Sequence, residues 1–286
     1  MLWGLSVMYW RQVEHVSPFE ILAHRAMWSL LLTLAFIIAL GRWQKLVAVF
    51  ASRRAFGTLC LSGLMIGSNW AVFIWAVNSD RILETSLAYF INPLMSVLTG
   101  VALLGERISG PQKMAIALAI AGVSYFTYAL GFVPWISLFL ALSFAAYGYL
   151  KKTLRVDALE GLFVEVLILA PFGIAYLFWQ SGHGGSAFVQ GDPLTNFYLV
   201  ASGVMTTIPL LLFTFGAQRI RLTTLGLLQY LVPTTSFSIA VWVYGEPLGH
   251  GQLVTFGLIW TGLAIFTFDT WRHERSLRRA IVEPVA

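Results

Sequence analysis

Apolar residues run through this chain in blocks of about twenty, each closed by a short polar or basic stretch. The blocks near 22–41, 56–78, 82–104, 112–130, 132–150, 159–179, 195–217, 222–244 and 251–270 predict helices. Each has the length that a bilayer core demands, about 20 residues rising about 1.5 Å apiece. Residues 1–10, MLWGLSVMYW, predict one further helix that crosses only about half a bilayer. The pattern therefore predicts an all-α membrane protein with ten transmembrane helices.

The blocks are related to one another. Gly105 and Glu106 follow Pro93 as Gly245 and Glu246 follow Pro233, and the two stretches lie 140 residues apart. The same offset aligns Tyr9 with Tyr149, Glu20 with Glu160, Ser62 with Ser202, Gly63 with Gly203, Arg81 with Arg221, Gln112 with Gln252 and Gly122 with Gly262. Chance matches of Leu, Ala and Gly are common in apolar sequence, but polar and proline pairs at one fixed offset are not. We read two five-helix repeats, 1–130 and 131–286. An odd number of crossings inverts the second copy, and inverted repeats are a signature of secondary transporters with a substrate site near the midplane. The offset also leaves the first helix short at its N-terminal end, so a truncated first helix is expected, with a helix that enters only halfway as the rival reading.

Composition agrees with this picture. Apolar residues make up 58% and charged residues 11% of 286 positions, and mean hydropathy is +0.77. A soluble domain carries about 25% charge. The net charge of +5 invites a nucleic-acid reading that the placement of the charges removes. If the chain starts in the cytoplasm, the cytoplasmic segments hold Arg42, Lys45, Arg53, Arg54, Arg107, Lys113, Lys151, Lys152, Arg155, Arg219, Arg221, Arg272, Arg275, Arg278 and Arg279, against Arg11, Arg25 and Arg81 opposite. That positive-inside asymmetry predicts cytoplasmic termini and no nucleic-acid partner. Cys60 is alone and the five histidines are scattered, so neither a metal nor a cofactor is expected. The opening lacks the basic region and cleavage site of a signal peptide.

Candidate chemistry gathers at two places. Pro93 and Pro233 sit near the centres of their spans and are expected to break the helices there, freeing the carbonyls of Tyr89 and Gln229. Tyr89, Asn92, Gln229 and Tyr230 surround these breaks, and Asn69 and Trp70 lie at similar depth; together they form the candidate substrate site, unless they serve only as interhelical glue. Ionisable groups inside a membrane are costly and raise a functional question of their own. His24, Arg25, Glu84 and Glu165 are the candidates for gating or coupling, with an Arg25–Glu84 pair drawn from their similar depth and Glu84 or Glu165 as carrier if transport is proton-coupled. Glu106 and Glu246 are expected to follow helices ended by glycine, as interfacial anchors. Gly63 and Gly67, one turn apart, allow close helix packing.

EILAHRAMWS (20–29), GSNWAVFIWAVN (67–78), LETSLAYFINPLMSVLTGVALLGER (83–107), AAYGYLKK (145–152), TTIPLLLF (206–213) and TLGLLQYLVPTTSF (224–237) resemble the RarD group of EamA-type permeases in the drug/metabolite transporter superfamily. The likeness runs from Trp3 to about Phe268. It implies ten helices in two inverted EamA-type repeats, a bacterial inner-membrane location and export of small metabolites or drugs, with group members named for an effect on chloramphenicol sensitivity. The positions that match the motif are His24, Arg25, Asn69, Trp70, Asn78, Glu84, Tyr89, Asn92, Pro93, Gln229, Tyr230 and Pro233. Two departures stand out: the family's usual stretch before Trp3 is missing, and Val7 stands where a proline is expected.

A secondary transporter of small molecules is the function expected. The alternative is a channel or a membrane substrate sensor without net transport. No nucleophile, zinc or phosphate-loop motif points to an enzyme or a primary pump. Substrate, direction, coupling ion and oligomeric state are not written in the sequence.

Overall fold

The computed structural model describes residues 2–79, 81–131, 133–190, 192–245 and 250–282; Glu246 lies outside them, as do the side chains of Asn78 and Gln252 and those from residue 273 onward. All regular structure among the described residues is helical. The helices are α1 (Leu2–Trp10), α2 (Pro18–Ala39), α3 (Trp43–Ala51), α4 (Arg53–Asn78), α5 (Ile82–Leu104), α6 (Gly110–Leu130), α7 (Trp135–Thr153), α8 (Ala158–Gly182), α9 (Ala187–Gln190), α10 (Pro193–Arg219), α11 (Leu222–Gln229), α12 (Leu231–Trp242) and α13 (His250–Val282). A short 3-10 turn, Arg11–Val13, extends α1. Among the described residues, seven segments are long and apolar enough to span a bilayer: α2, α8, α10, Arg53–Val77, Glu84–Leu104, Leu222–Trp242 and Leu253–Arg272.

Local sequence sets the ends. Ser109 and Gln112 form a reciprocal capping box at the start of α6. Asp192 accepts from the Thr195 amide at the start of α10. Gly105, at φ 64°, closes α5 in the left-handed conformation that favours glycine. Two short helices escaped the sequence reading: α3 and α9 are too short to span, and each joins a long helix to the next.

The two prolines behave differently. Pro93 lies inside a continuous α5, so the break expected there is absent. Pro233 is the third residue of α12, just after a one-residue turn at Tyr230 (φ −61°, ψ −15°) that separates it from α11. Near Pro93 the Tyr230 hydroxyl donates to the Phe90 carbonyl at 3.2 Å, one residue beyond the carbonyl that the proline frees.

Helices 140 residues apart in sequence pack on each other: α2 on α8, α6 on α13 and α5 on α11. Small residues allow the approach. A Cβ on Gly262 would stand 2.8 Å from the Ala115 carbonyl oxygen, and one on Gly122 would stand 3.2 Å from that of Thr255. These are one contact and its counterpart, because Thr255 is Ala115 plus 140 and Gly262 is Gly122 plus 140. Gly63 likewise sets α4 against the Glu165 backbone of α8, and Gly203 sets α10 against Trp28 of α2. The largest apolar cluster lies between α5, α6, α11 and α13, around Leu87, Phe90, Ala115, Tyr230, Phe256 and Ile259.

Candidate functional site

Arg25 enters the bundle two turns along α2, about 10 Å from Pro18. Its Nε donates to Thr206 Oγ1 of α10 at 2.9 Å. The guanidinium carbon lies 4.6 Å from the Trp70 ring centre and 5.1 Å from that of Trp10, which is cation–π range. Tyr9 and Tyr89 stand within electrostatic reach of the same group. Tyr89 is 43% exposed although Phe73 meets its ring edge-on. Arg25 and Trp70 are also partly exposed. The result is a cluster of aromatic side chains around one cation, a candidate vestibule.

The expected Arg25–Glu84 pair does not form. Glu84 is buried and pairs with Arg81 one turn before it at 2.8 Å, while its other oxygen accepts from the Ile136 amide at the start of α7 at 3.3 Å. The reason is packing: α5 leans on α7, so its first turn meets that helix start, whereas Arg25 faces α10. His24, adjacent in sequence, points elsewhere. It is buried against Phe188, its Nδ1 accepts from Trp28 Nε1 at 3.1 Å, and its Nε2 meets no partner among the described residues.

The other sequence candidates divide. Asn69 donates to the Leu140 carbonyl at 2.8 Å and the Ser143 hydroxyl at 2.9 Å, tying α4 to α7. Gln229 donates to Ser96 Oγ at 3.2 Å, and Tyr230 is fully buried on Phe90, so both tie α11 to α5. Asn92 keeps a buried Oδ1 without a partner among the described residues. Only Trp70 and Tyr89 of the substrate-site candidates are gathered around Arg25. Tyr9, Trp10 and Thr206 were not among the site candidates read from the sequence; the tyrosine and tryptophan adjoin in a short first helix, and a threonine in an apolar run is the weakest of signals.

Glu165 belongs to a second cluster. Its Oε1 pairs with Lys151 Nζ at 2.7 Å and accepts from Ser62 Oγ, and its Oε2 accepts from the Tyr147 hydroxyl at 3.3 Å. Glu165 is 0% and Lys151 2% exposed. Lys151 is therefore not the free basic charge that the charge count took it for. It shares a face of α7 with Tyr147 one turn earlier, which aims both at α8.

Three more carboxylates hold helix ends. Glu106 accepts from the Leu222 and Thr223 amides at 2.7 and 2.8 Å and so caps α11. Glu20 accepts from Gln180 and Ser186 side chains and from the Ala187 and Phe188 amides. Glu160, its counterpart 140 residues on, takes Arg42 Nε at 2.7 Å instead. Among the described residues, no group of three His, Cys, Asp or Glu side chains could hold a metal.

Residues 1–128 match the EamA-like transporter family. An uncharacterized transporter of Vibrio cholerae is 42% identical over 98% of this chain and 92% of its own. Protein RarD of Salmonella typhi is 42% identical over 96% of this chain and 93% of its own. A solved crystal structure of a protein superposes with a TM-score of 0.71 at 19% identity, covering 93% of this chain and 94% of that one, which shows a shared fold.

Proposed function

The chain belongs to the EamA-like transporter family, as a RarD-like permease and a multi-pass membrane transporter rather than an enzyme; from that premise we propose that it exports small metabolites or drugs by alternating access. Two inverted five-helix repeats, 1–130 and 131–286, rock against each other about a substrate site near the midplane. The exchanged contacts of Gly122 with Thr255 and Gly262 with Ala115 support the repeat reading. The observation that carries the site is the vestibule at Arg25, where α1, α2, α4 and α5 of the first half meet Thr206 of the second.

Within it, Trp70 and Tyr89 contact the substrate and Asn92 offers its unpartnered oxygen once the site rearranges. Asn69, Gln229 and Tyr230 position the helices. Glu165, with Lys151, Tyr147 and Ser62 around it, is the coupling group, which binds a proton when the Lys151 pair parts. Both termini face the cytoplasm of a bacterial inner membrane. Glu84 seals the opposite mouth by holding the start of α7.

Efflux from vesicles tests this reading. Purified protein reconstituted around a mixed pool of amino acids and amphipathic metabolites should release a subset of them under a proton gradient, with mass spectrometry as the readout. Trp70→Ala should abolish release and Glu165→Gln should remove its dependence on the gradient. Release of the pool without selection, or without saturation, would favour a channel.

A further inference from the structure

We propose that Arg25 recognises the carboxylate of the substrate, and that the substrates are monocarboxylates with an aromatic or similarly flat apolar body. The inference rests on the reading of the vestibule as the substrate site.

An arginine stays charged and carries five N–H donors. The one on Nε is given to Thr206, and those on Nη1 and Nη2 meet no acceptor among the described residues. Neither does a carboxylate there approach Arg25. The other acids near these helices are engaged: Glu84 with Arg81, Glu165 with Lys151, Glu160 with Arg42, and Glu20 with the Ser186 loop. A cation two turns inside a spanning helix, with only a hydroxyl and ring faces as partners, is short of one anion. The fork of a guanidinium matches a carboxylate through two parallel hydrogen bonds.

The count of cations limits the ligand to one such group. Lys151, Arg81 and Arg42 are paired, and Arg11 lies 3.9 Å over the Tyr244 ring, away from the vestibule. The walls set the rest of the ligand. Trp10 and Trp70 present ring faces to Arg25, with Tyr9 and Tyr89 within its electrostatic reach, and against such rings a flat apolar body stacks after the carboxylate is seated.

The test uses radiolabelled phenylacetate and purified full-length protein in a scintillation proximity assay, with phenylacetamide as the isosteric neutral competitor. Phenylacetate should bind saturably, and phenylacetamide should compete at least about tenfold more weakly, because it forfeits the charge-assisted bonds. Arg25→Gln should weaken phenylacetate by about tenfold to a hundredfold, with Arg25→Lys between the two because it keeps charge but not the fork. Equal competition by the amide would overturn the proposal. So would absent phenylacetate binding, or undiminished binding in a well-folded Arg25→Gln protein. The acid–amide contrast needs no variant, so it decides even if Arg25→Gln fails to fold. Selective efflux of neutral compounds from the mixed pool, alongside any of those negative results, would keep the transporter and remove only the carboxylate class.

Discussion

Arg25 and Glu165 occupy equivalent places in α2 and α8, 140 residues apart and each about 10 Å along its helix, yet they live in opposite circumstances. Glu165 is sealed, with a lysine, a serine and a tyrosine spending their polar atoms on it. Arg25 is partly open and has a threonine and ring faces. The same backbone position thus holds a locked charge in one half and an available charge in the other. The difference lies in what faces it: α7 and α4 bring Lys151 and Ser62 to Glu165, whereas α10 and α1 bring Thr206 and Trp10 to Arg25. Equivalent positions in helices 140 residues apart can thus hold a charge engaged by the protein at one and a charge left open at the other.

The strongest way to break this comparison is to remove one partner of the locked pair. Lys151→Met should cost about 3–5 kcal/mol, because Glu165 would remain buried and uncompensated. Thermal melts in detergent should show a large fall, and Lys151→Met combined with Glu165→Leu should recover most of it. Next, Tyr147→Phe removes one long hydrogen bond and should cost about 1 kcal/mol in the same melts. Arg25→Met should change stability by less than about 1 kcal/mol. The lost Thr206 bond and ring contacts are offset by relief from holding a charge within the span. An Arg25→Met protein as unstable as Lys151→Met would show that the cation is as locked as the acid, and the contrast would fall.

The smallest effect concerns the exposed strap beside Glu160. Asp157 is held below the ordinary 3.8 of its carboxyl by the Lys45 hydrogen bond, against a slight rise from burial, with Arg42 adding to the fall. Its depressed pKa in the folded protein means that its contribution is present above about pH 4 and fades as pH falls through the folded value. Melts should therefore lose a small increment below pH 4, and 1 M salt should erase it because the pair is solvent-screened. The Glu20 end uses neutral donors and backbone amides instead of an arginine. Its stability should respond less to salt, which Gln180→Ala and Arg42→Ala melts at two salt concentrations would compare.

Much of the fold was legible in the apolar blocks. A run of twenty apolar residues has few stable options in a bilayer, and the end of α5 followed from Gly105, whereas α2 and α6 begin a few residues before the blocks, at Pro18 and Gly110. The candidate site was legible only in part. Trp70, Tyr89 and Arg25 could be named because polar and aromatic groups are conspicuous in apolar sequence, but their partners could not. Lys151 looked like a basic flank at a helix end, and its inward aim depends on which neighbour α7 leans on. Pro93 and Pro233 looked alike, and what distinguishes them is that Pro93 lies mid-helix in α5 whereas Pro233 is the third residue of α12, just after the Tyr230 turn.

The sequence by itself determined that this chain is helical and membrane-spanning, since periodicity and apolar length act along one segment at a time. Only the tertiary structure decided which charges are satisfied. A hydrogen bond or an ion pair needs its two ends within about 3 Å, and residues such as Ser62 and Glu165, or Arg25 and Thr206, come that close only after distant helices have packed.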